Sequence, residues 1–365
     1  MRRLIAAAAA AFLWLVSASA AWADATSQLQ AARTDITQAW ERARNYDLSV
    51  AENVSNDVAS LTTLIDNDAL TGDPRLAAFY YRGWGRQLIN SIRVKKGSKL
   101  DADLAHATLS DFDTVIAGNR DLPTWDVTIA NTEYLAGGIA KNSLDDTPGA
   151  YAYWIKCAAR NHAGCMNIIA VASITGEDGQ PVDYKQALDL HTRVFNTGTN
   201  FSCAGVYSAE GIAAIVYFTG TRRPGDDEIQ WVTKAYPLLD RLAAQQKNKN
   251  ACNRATFEFD EFLYRLSRGD RQEALLHKVI ALIPPDDDDD RAFAGYMLGT
   301  VSEDDMQATF AAVKSERARC TDYFYALWYD ELTDKPDLAR ANYDRMVAIG
   351  QVPCHDVWVY VKKYF

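Results

Sequence analysis

The chain has 365 residues and is acidic, with 48 aspartates and glutamates against 38 lysines and arginines and a formal net charge of −10. This balance argues against a nucleic-acid partner, because phosphate binding needs clustered lysines and arginines. It also disfavours binding to an anionic membrane surface. The length is sufficient for two ordinary domains or for one elongated array of repeats.

The first 23 residues have the pattern of a secretory signal peptide. Residues 2–3 are arginines, residues 4–16 form an uncharged apolar run, and residues 21–23 are a small-x-small cleavage motif. The apolar run is too short to span a bilayer comfortably, which disfavours an uncleaved membrane anchor. We therefore expect cleavage between Ala23 and Asp24 and no membrane insertion of the mature chain.

The positions of the cysteines bear on where the exported chain is located. The first of the six is Cys157, so no lipobox follows the apolar run, and the predicted location is the periplasm or the secreted fraction. Cysteines in an exported chain are candidates for disulfides. Six cysteines allow 15 connectivities, so their number alone leaves the pairing open.

The apolar residues predict an all-α fold. No stretch alternates apolar and polar residues with period two, so no strands are predicted. Apolar runs with a 3.6-residue period are separated by short Gly, Asp, Pro or Asn breaks. The pattern predicts helices over Ser27–Asn45, Ser49–Asp66, Pro74–Ile92, Asp101–Ala117, Trp125–Ala140, Ala150–Asn161, Cys165–Thr175, Tyr184–Asn196, Cys203–Phe218, Asp226–Gln245, Asn253–Leu266, Arg271–Ile283, Asp288–Thr300, Asp304–Glu316, Thr321–Leu332, Pro336–Ile349 and Asp356–Lys363.

The spacing of these helices indicates a repeat architecture. Short helices joined by short breaks predict antiparallel hairpins, and hairpins at a regular period predict a stacked α-solenoid. Gly164 and Gly198 each close a predicted helix and are 34 residues apart, as are Cys320 and Cys354, which each open one. We therefore predict a single helical-repeat domain over residues 24–365.

Residues 154–198 resemble a Sel1-like repeat, which belongs to a tetratricopeptide-like family of helix hairpins. Residues 156–165, Lys-Cys-Ala-Ala-Arg-Asn-His-Ala-Gly-Cys, follow the family's junction, in which an Ala-Ala helix end meets Gly-His-Ala. Asn161 stands where the family usually has glycine, and asparagine tolerates the left-handed conformation of a helix end. Residues 176–179 resemble the family's Gly-x-Gly turn, and residues 183–188 resemble its Asp-x-x-x-Ala helix start.

The resemblance implies a disulfide between Cys157 and Cys165, because this Cys-x7-Cys spacing occurs in secreted, cysteine-rich Sel1-like proteins. Along one unbroken helix the two sulfurs would lie about 12 Å apart, but the break at the junction reverses the chain. The alternative is a metal site formed by Cys157, His162 and Cys165. That set has only three ligands and lies in an oxidising compartment, so we favour the disulfide.

The next repeat departs from the pattern. Phe195 stands where the first cysteine of a pair would be, so Cys203 has no local partner. We predict that Cys203–Cys252 and Cys320–Cys354 join neighbouring repeats.

No sequence motif for catalysis is present. The chain has no Gly-x-Ser-x-Gly elbow, P-loop, His-Glu-x-x-His pair or dinucleotide fingerprint. Adjacent acidic residues occur near helix starts, which is typical of helix caps. His106, His191 and His277 lie within amphipathic helices, where we expect hydrogen-bonded interface histidines. No catalytic, cofactor-binding or metal-binding residue is therefore predicted.

Dense aromatic runs, such as Phe257–Tyr264 and Tyr323–Tyr329, have two interpretations. They can fill the space between packed helices, which is the interpretation we favour. Alternatively, they can line a concave groove, where solenoids bind peptides.

The sequence thus predicts an exported, non-catalytic scaffold that binds a protein or peptide partner and needs no cofactor. The alternative is a cell-envelope enzyme or binder acting on peptidoglycan or β-lactam-like ligands. The resemblance implies this alternative, because some cysteine-rich Sel1-like proteins are associated with penicillin binding or weak β-lactam hydrolysis. The Ser-x-x-Lys motif that such an activity would use is missing.

Overall fold

The computed structural model divides into two compact units, Met1–Cys165 and Met166–Phe365. Regular structure among the described residues is helical, apart from one isolated antiparallel bridge between Leu122 and Val127. This confirms the predicted all-helical class. Side chains are described from Trp22 onward, except those of Gln246 and Asp356, and the backbone is described over residues 2–44, 47–197, 203–246, 251–285 and 287–361.

In the first unit, each helix packs against the next one in the chain. The helices are α1 (Arg2–Arg44), α2 (Ala51–Asp66), α3 (Gly72–Lys95), α4 (Ala102–Ala117), α5 (Ile129–Leu144) and α6 (Thr147–Ala159). The packing follows from the sequence, because apolar residues spaced three and four apart lie on one helix face. On α1 these buried residues are Ala25, Leu29, Ala32, Ile36, Ala39 and Ala43.

The predicted signal peptide lies largely outside the described side chains. Its apolar run, residues 4–16, belongs to α1, which begins at Arg2 and not at the predicted Ser27. The cleavage position between Ala23 and Asp24 would fall within this helix, and it stays a prediction.

The second unit also packs largely in chain order, and α11 and α17 additionally contact α15. Its core contains Phe257, Phe262 and Trp328, all fully buried. The helices are α7 (Ala163–Thr175), most of which belongs to this unit, and α8 (Tyr184–Asn196), α9 (Ala204–Ala214), α10 (Glu228–Gln246), α11 (Arg254–Leu266), α12 (Glu273–Leu282), α13 (Asp288–Leu298), α14 (Glu303–Ala312), α15 (Glu316–Leu332), α16 (Pro336–Ile349) and α17 (His355–Val361).

Two further helix starts differ from the predicted ones by four or more residues, because side-chain caps fix the true starts. The α15 helix begins at Glu316 and not at Thr321, since the Ser315 hydroxyl accepts a hydrogen bond from the Ala318 amide at 3.2 Å. Similarly, α5 begins four residues after the predicted Trp125, because the Thr128 hydroxyl caps it.

Three disulfides join the six cysteines, in the same pairs that the sequence analysis proposed. Cys157–Cys165 links the end of α6 to the start of α7, with Cα atoms 5.9 Å apart. The other two bridges span longer loops, of 49 and 34 residues, each with a Cα separation of 5.4 Å, and they are Cys203–Cys252 and Cys320–Cys354.

Sequential packing is compatible with an array of helical repeats. The prediction of one repeat domain over residues 24–365 stays a prediction. No helix in the described part of the chain has the length and apolar character needed to span a membrane.

Candidate functional site

The two cysteines of the cysteine–histidine group at the α6–α7 junction form a disulfide. Ligand atoms of Cys157, His162 and Cys165 lie within 4.8 Å of one another. The two sulfurs are bonded to each other at 2.01 Å, however, and metal binding needs free thiolates. The His162 Nδ1 atom instead accepts a hydrogen bond from the Cys165 amide at 3.4 Å, which caps α7. This arrangement favours a structural role.

Two of the adjacent acidic pairs near predicted helix starts provide helix caps. Asp146 accepts a hydrogen bond from the Gly149 amide, and Asp227 accepts one from the Gln230 amide. Of the helical histidines, His106 and His277 are exposed and lie at no interface. The expectation of interface histidines is therefore wrong for these two.

The most distinctive site is an aromatic cavity of about 310 Å³ within the second unit. This volume lies at the lower end of the range for small-molecule sites. Tyr207 and Val171 are 39% and 36% exposed and form part of its rim. The cavity is lined by Asn167, Val171, Ile174 and Thr175 of α7, His191 of α8, Tyr207, Glu210, Gly211 and Ala214 of α9, Phe218 in the turn that follows α9, Thr256, Asp260 and Tyr264 of α11, Thr321, Phe324, Tyr325 and Trp328 of α15, and Val357 and Tyr360 of α17.

Aromatic rings form one wall of this cavity, which we call the aromatic pocket. The Phe218 ring centroid lies 4.9 Å from that of Trp328 and 4.8 Å from that of Tyr360. Tyr264 contacts Trp328 at 5.1 Å. The aromatic runs therefore fill space between helices, and part of one run also lines the cavity, while the peptide-binding groove stays a prediction. Phe324, Tyr325 and Trp328 of the run Tyr323–Tyr329 line the pocket, and its other members pack in the core.

Two carboxyl groups face the pocket from different helices. Asp260 of α11 is only 3% exposed, and its Oδ1 atom accepts a hydrogen bond from the Tyr325 hydroxyl at 2.8 Å. Burial raises the pKa of Asp260 well above its usual value, and the nearby Glu210 carboxyl raises it further. Burial also raises the pKa of Glu210, on α9, to about 7. Near neutral pH, the free energy needed to ionise both carboxyl groups is therefore unusually high.

His191 adds a third polar group to the pocket. It is 3% exposed, and its Nδ1 atom lies 3.4 Å from the Ser208 hydroxyl, which in turn donates to Asn167 Oδ1 at 3.3 Å. Its buried Nε2 atom has no hydrogen-bond partner, which contradicts the expected satisfied histidine. Burial lowers the pKa of His191 to about 4, so the ring is neutral at pH 7. Gly211 leaves room for it, because a Cβ there would lie 2.7 Å from Nε2.

The sequence analysis missed Glu210 and Asp260, although α11 carries a usable signal. Glu258 pairs with Arg254 at 3.0 Å and Glu261 pairs with Arg265 at 2.6 Å, each at the helical spacing of four residues. Asp260 has Thr256 and Tyr264 at that spacing instead. An acid without a helical counter-ion can therefore be recognised in the sequence, whereas its burial cannot.

A second cleft, of about 650 Å³, lies in the first unit. Trp40 and Trp84 stack there at 5.7 Å, and Asn131 donates to the Tyr80 hydroxyl at 2.9 Å. Its Arg33 is already paired with Asp126 of the same unit. The lining charges of this cleft are thus compensated within the chain, unlike those of the aromatic pocket.

No protein-family model matches the chain. No curated protein matches it either.

Proposed function

We propose that the protein is an exported, non-catalytic binding protein that recognises a protein or peptide segment through the aromatic pocket. Its framework would be an α-solenoid of antiparallel Sel1-like or tetratricopeptide-like hairpins. Packing of helices in chain order supports that framework. The N-terminal signal pattern and the three disulfides support a periplasmic or secreted location.

One observation carries this proposal: the pocket combines aromatic walls with a few convergent polar groups and a solvent-exposed rim. Such a combination is typical of binding sites. Aromatic side chains bury large areas at low entropic cost and are frequent anchors in interfaces. A cavity of about 310 Å³ is suited to one side chain of a partner.

The proposal can be tested by selecting peptides from a random display library on the purified mature protein. We expect the selected peptides to bind at least tenfold more weakly to Ala214→Phe, because the added ring would fill the pocket that Ala214 lines. Val347→Phe is the matched control, since Val347 is 47% exposed and does not line the pocket. Equal binding to all three proteins, or a failure to select any peptide, would contradict the proposal.

A second candidate function is favoured by the Glu210–Asp260 pair. Two carboxyl groups with raised pKa values can act as general acid and base, as in glycoside hydrolysis. This agrees with the alternative of a cell-envelope enzyme. We expect no turnover of a chromogenic β-lactam and no clearing of a peptidoglycan suspension. Turnover that disappears in Glu210→Gln would establish the enzyme instead.

A further inference from the structure

Several polar atoms of the residues that line the aromatic pocket can accept hydrogen bonds. Glu210 and Asp260 are acceptors only when they are ionised, and a neighbouring cation favours that form. Because Ser208 donates to Asn167, the Ser208 hydroxyl oxygen is available to accept from His191 Nδ1–H. In that tautomer the unpartnered Nε2 atom of His191 is an acceptor as well. A matching ligand must therefore supply hydrogen-bond donors.

The described lining of the pocket also carries no positive charge. Among the described lining residues there is no lysine or arginine. No described basic side chain forms an ion pair with Glu210 or Asp260, whereas Glu258 and Glu261 on the same α11 helix are each paired with arginine. Buried carboxylates are normally paired, since an isolated buried charge is costly. The missing counter-charge can come from a ligand.

The aromatic rings favour the same type of ligand. A cation within about 6 Å of a ring centroid is attracted by the negative face of the ring. Tyr264 and Trp328 provide such rings, and Tyr264 is one helical turn from Asp260 on α11. A positively charged group near Asp260 would therefore lie beside both a carboxylate and an aromatic face.

We propose that the aromatic pocket binds an organic cation with N–H donors, namely a primary ammonium or guanidinium group on a short alkyl chain. This inference rests on the proposed binding function and specifies its ligand. Two sources carry this chemistry: a lysine or arginine side chain of a peptide partner, or a free alkylamine. The N–H groups would donate to Glu210, Asp260 and His191 Nε2, and the alkyl chain would contact the rings.

The first experiment separates charge from shape. Binding of n-butylamine and n-butylguanidine to the full mature protein is measured by calorimetry and saturation-transfer NMR, with uncharged n-butanol as the isosteric control. We expect n-butanol to bind at least about tenfold more weakly, since charge-assisted hydrogen bonds are roughly twice as strong as neutral ones. Equal binding of butylamine and butanol would overturn the inference, as would no binding of either cation.

Variants then assign the effect to the carboxyl pair. Glu210→Gln should weaken butylamine binding about tenfold or more, because it removes a charge and keeps the shape. Asp260→Asn is a second variant that keeps an acceptor for the Tyr325 hydroxyl. Glu331→Gln is the matched control, because Glu331 is exposed and outside the pocket. If both pocket variants bind butylamine as well as the control does, the two carboxyls simply share a proton and the inference is wrong.

A peptide pair distinguishes the two sources. Acetyl-Ala-Ala-Lys-Ala-Ala-amide is compared with the same peptide carrying Nε-acetyl-lysine. Binding of only the unmodified peptide supports a peptide source. Binding of butylamine but of neither peptide keeps the cation inference and contradicts the peptide-binding function. Library-selected peptides that bind the pocket without lysine, arginine or a free amino terminus would support the peptide-binding function and contradict the cation inference.

Discussion

Two buried acids of the first unit are paired with arginines, whereas the two acids of the aromatic pocket have no described arginine partner. In the first unit, Asp111 is 2% exposed and forms ion pairs with Arg82 and Arg86, at N–O distances of 2.6 and 2.7 Å. Glu133 forms an ion pair with Arg160 at 3.2 Å. In the pocket of the second unit, Asp260 is buried to a similar degree, and its partner among the described residues is the Tyr325 hydroxyl. A buried acid with its own arginine contributes to structure. A buried acid without an arginine partner lowers the stability of the folded state, and such residues are frequent at functional sites.

The largest effect expected from this comparison is the loss of the Asp111 pairs. Asp111→Ala leaves two largely buried arginines without their carboxylate and should lower the free energy of unfolding by about 3–5 kcal/mol. Urea unfolding followed by circular dichroism measures it. Asp344→Ala is the control, since its pair with Arg340 is 59% exposed on both sides and should cost less than about 1 kcal/mol. Similar losses in the two variants would show that burial of the pair is unimportant.

The disulfides offer the next test. Replacing Cys203 and Cys252 together by alanine should destabilise the protein by roughly 4 kcal/mol, because the bridge closes a loop of 49 residues. The same replacement of Cys157 and Cys165 opens a loop of only 8 residues and should cost roughly 2.5 kcal/mol. The two double variants are compared by urea unfolding. A larger loss for the shorter loop would mean that native-state strain, and not chain entropy, decides the order.

The wild-type protein should become more stable between pH 8 and pH 6.5. Burial raises the pKa values of Glu210 and Asp290 to about 7 and that of Asp322 to about 8. In this interval the folded chain takes up protons that the unfolded chain does not, so stability is gained as the pH falls, by on the order of 2 kcal/mol. Below that interval the lowered pKa of His191 opposes the trend. The measurement is the unfolding free energy at pH 8, 7 and 6.5, and values that do not rise as the pH falls would contradict the raised pKa values.

The smallest expected effect has the opposite sign to that of Asp111→Ala. Glu210→Gln should raise the unfolding free energy at pH 8 by on the order of 1 kcal/mol, because it removes a charge that burial disfavours. It should also reduce the pH dependence described above. Exposed Glu331→Gln should change stability by less than about 0.5 kcal/mol. Destabilisation by Glu210→Gln would instead indicate that Glu210 is a structural carboxylate like Asp111.

The helices and the cysteine pairs were accessible from the sequence for local reasons. Apolar periodicity reports the buried face of each helix, as on α1, where Leu29 and Ile36 lie on one face. Errors occurred where a single hydroxyl decides a boundary, as Ser315 does for α15. The family pattern located the Cys157–Cys165 joint because both residues lie within one short motif.

The pocket was not predicted because it combines side chains from six helices. Glu210 and Asp260 are 50 residues apart, and neither belongs to a motif. Chain order places α9 against α10 and α10 against α11, but it does not tell which side chains of α9 and α11 share a cavity. The absence of arginine at helical spacing from Asp260 was visible, yet it gains meaning only when burial is known.

The Cys203–Cys252 bridge fixes the axial position of α9 relative to α11, two helices that line the pocket. Cys203 immediately precedes α9 and Cys252 lies two residues before α11, so the bridge joins the starts of the two helices that carry the carboxyl groups. Glu210 lies seven residues after Cys203, and Asp260 lies eight residues after Cys252. Both acids are therefore about two helical turns from the same covalent anchor. Axial sliding of one helix against the other would change the distance between the two carboxyl groups. The covalent bridge restricts this sliding and so helps to fix that distance.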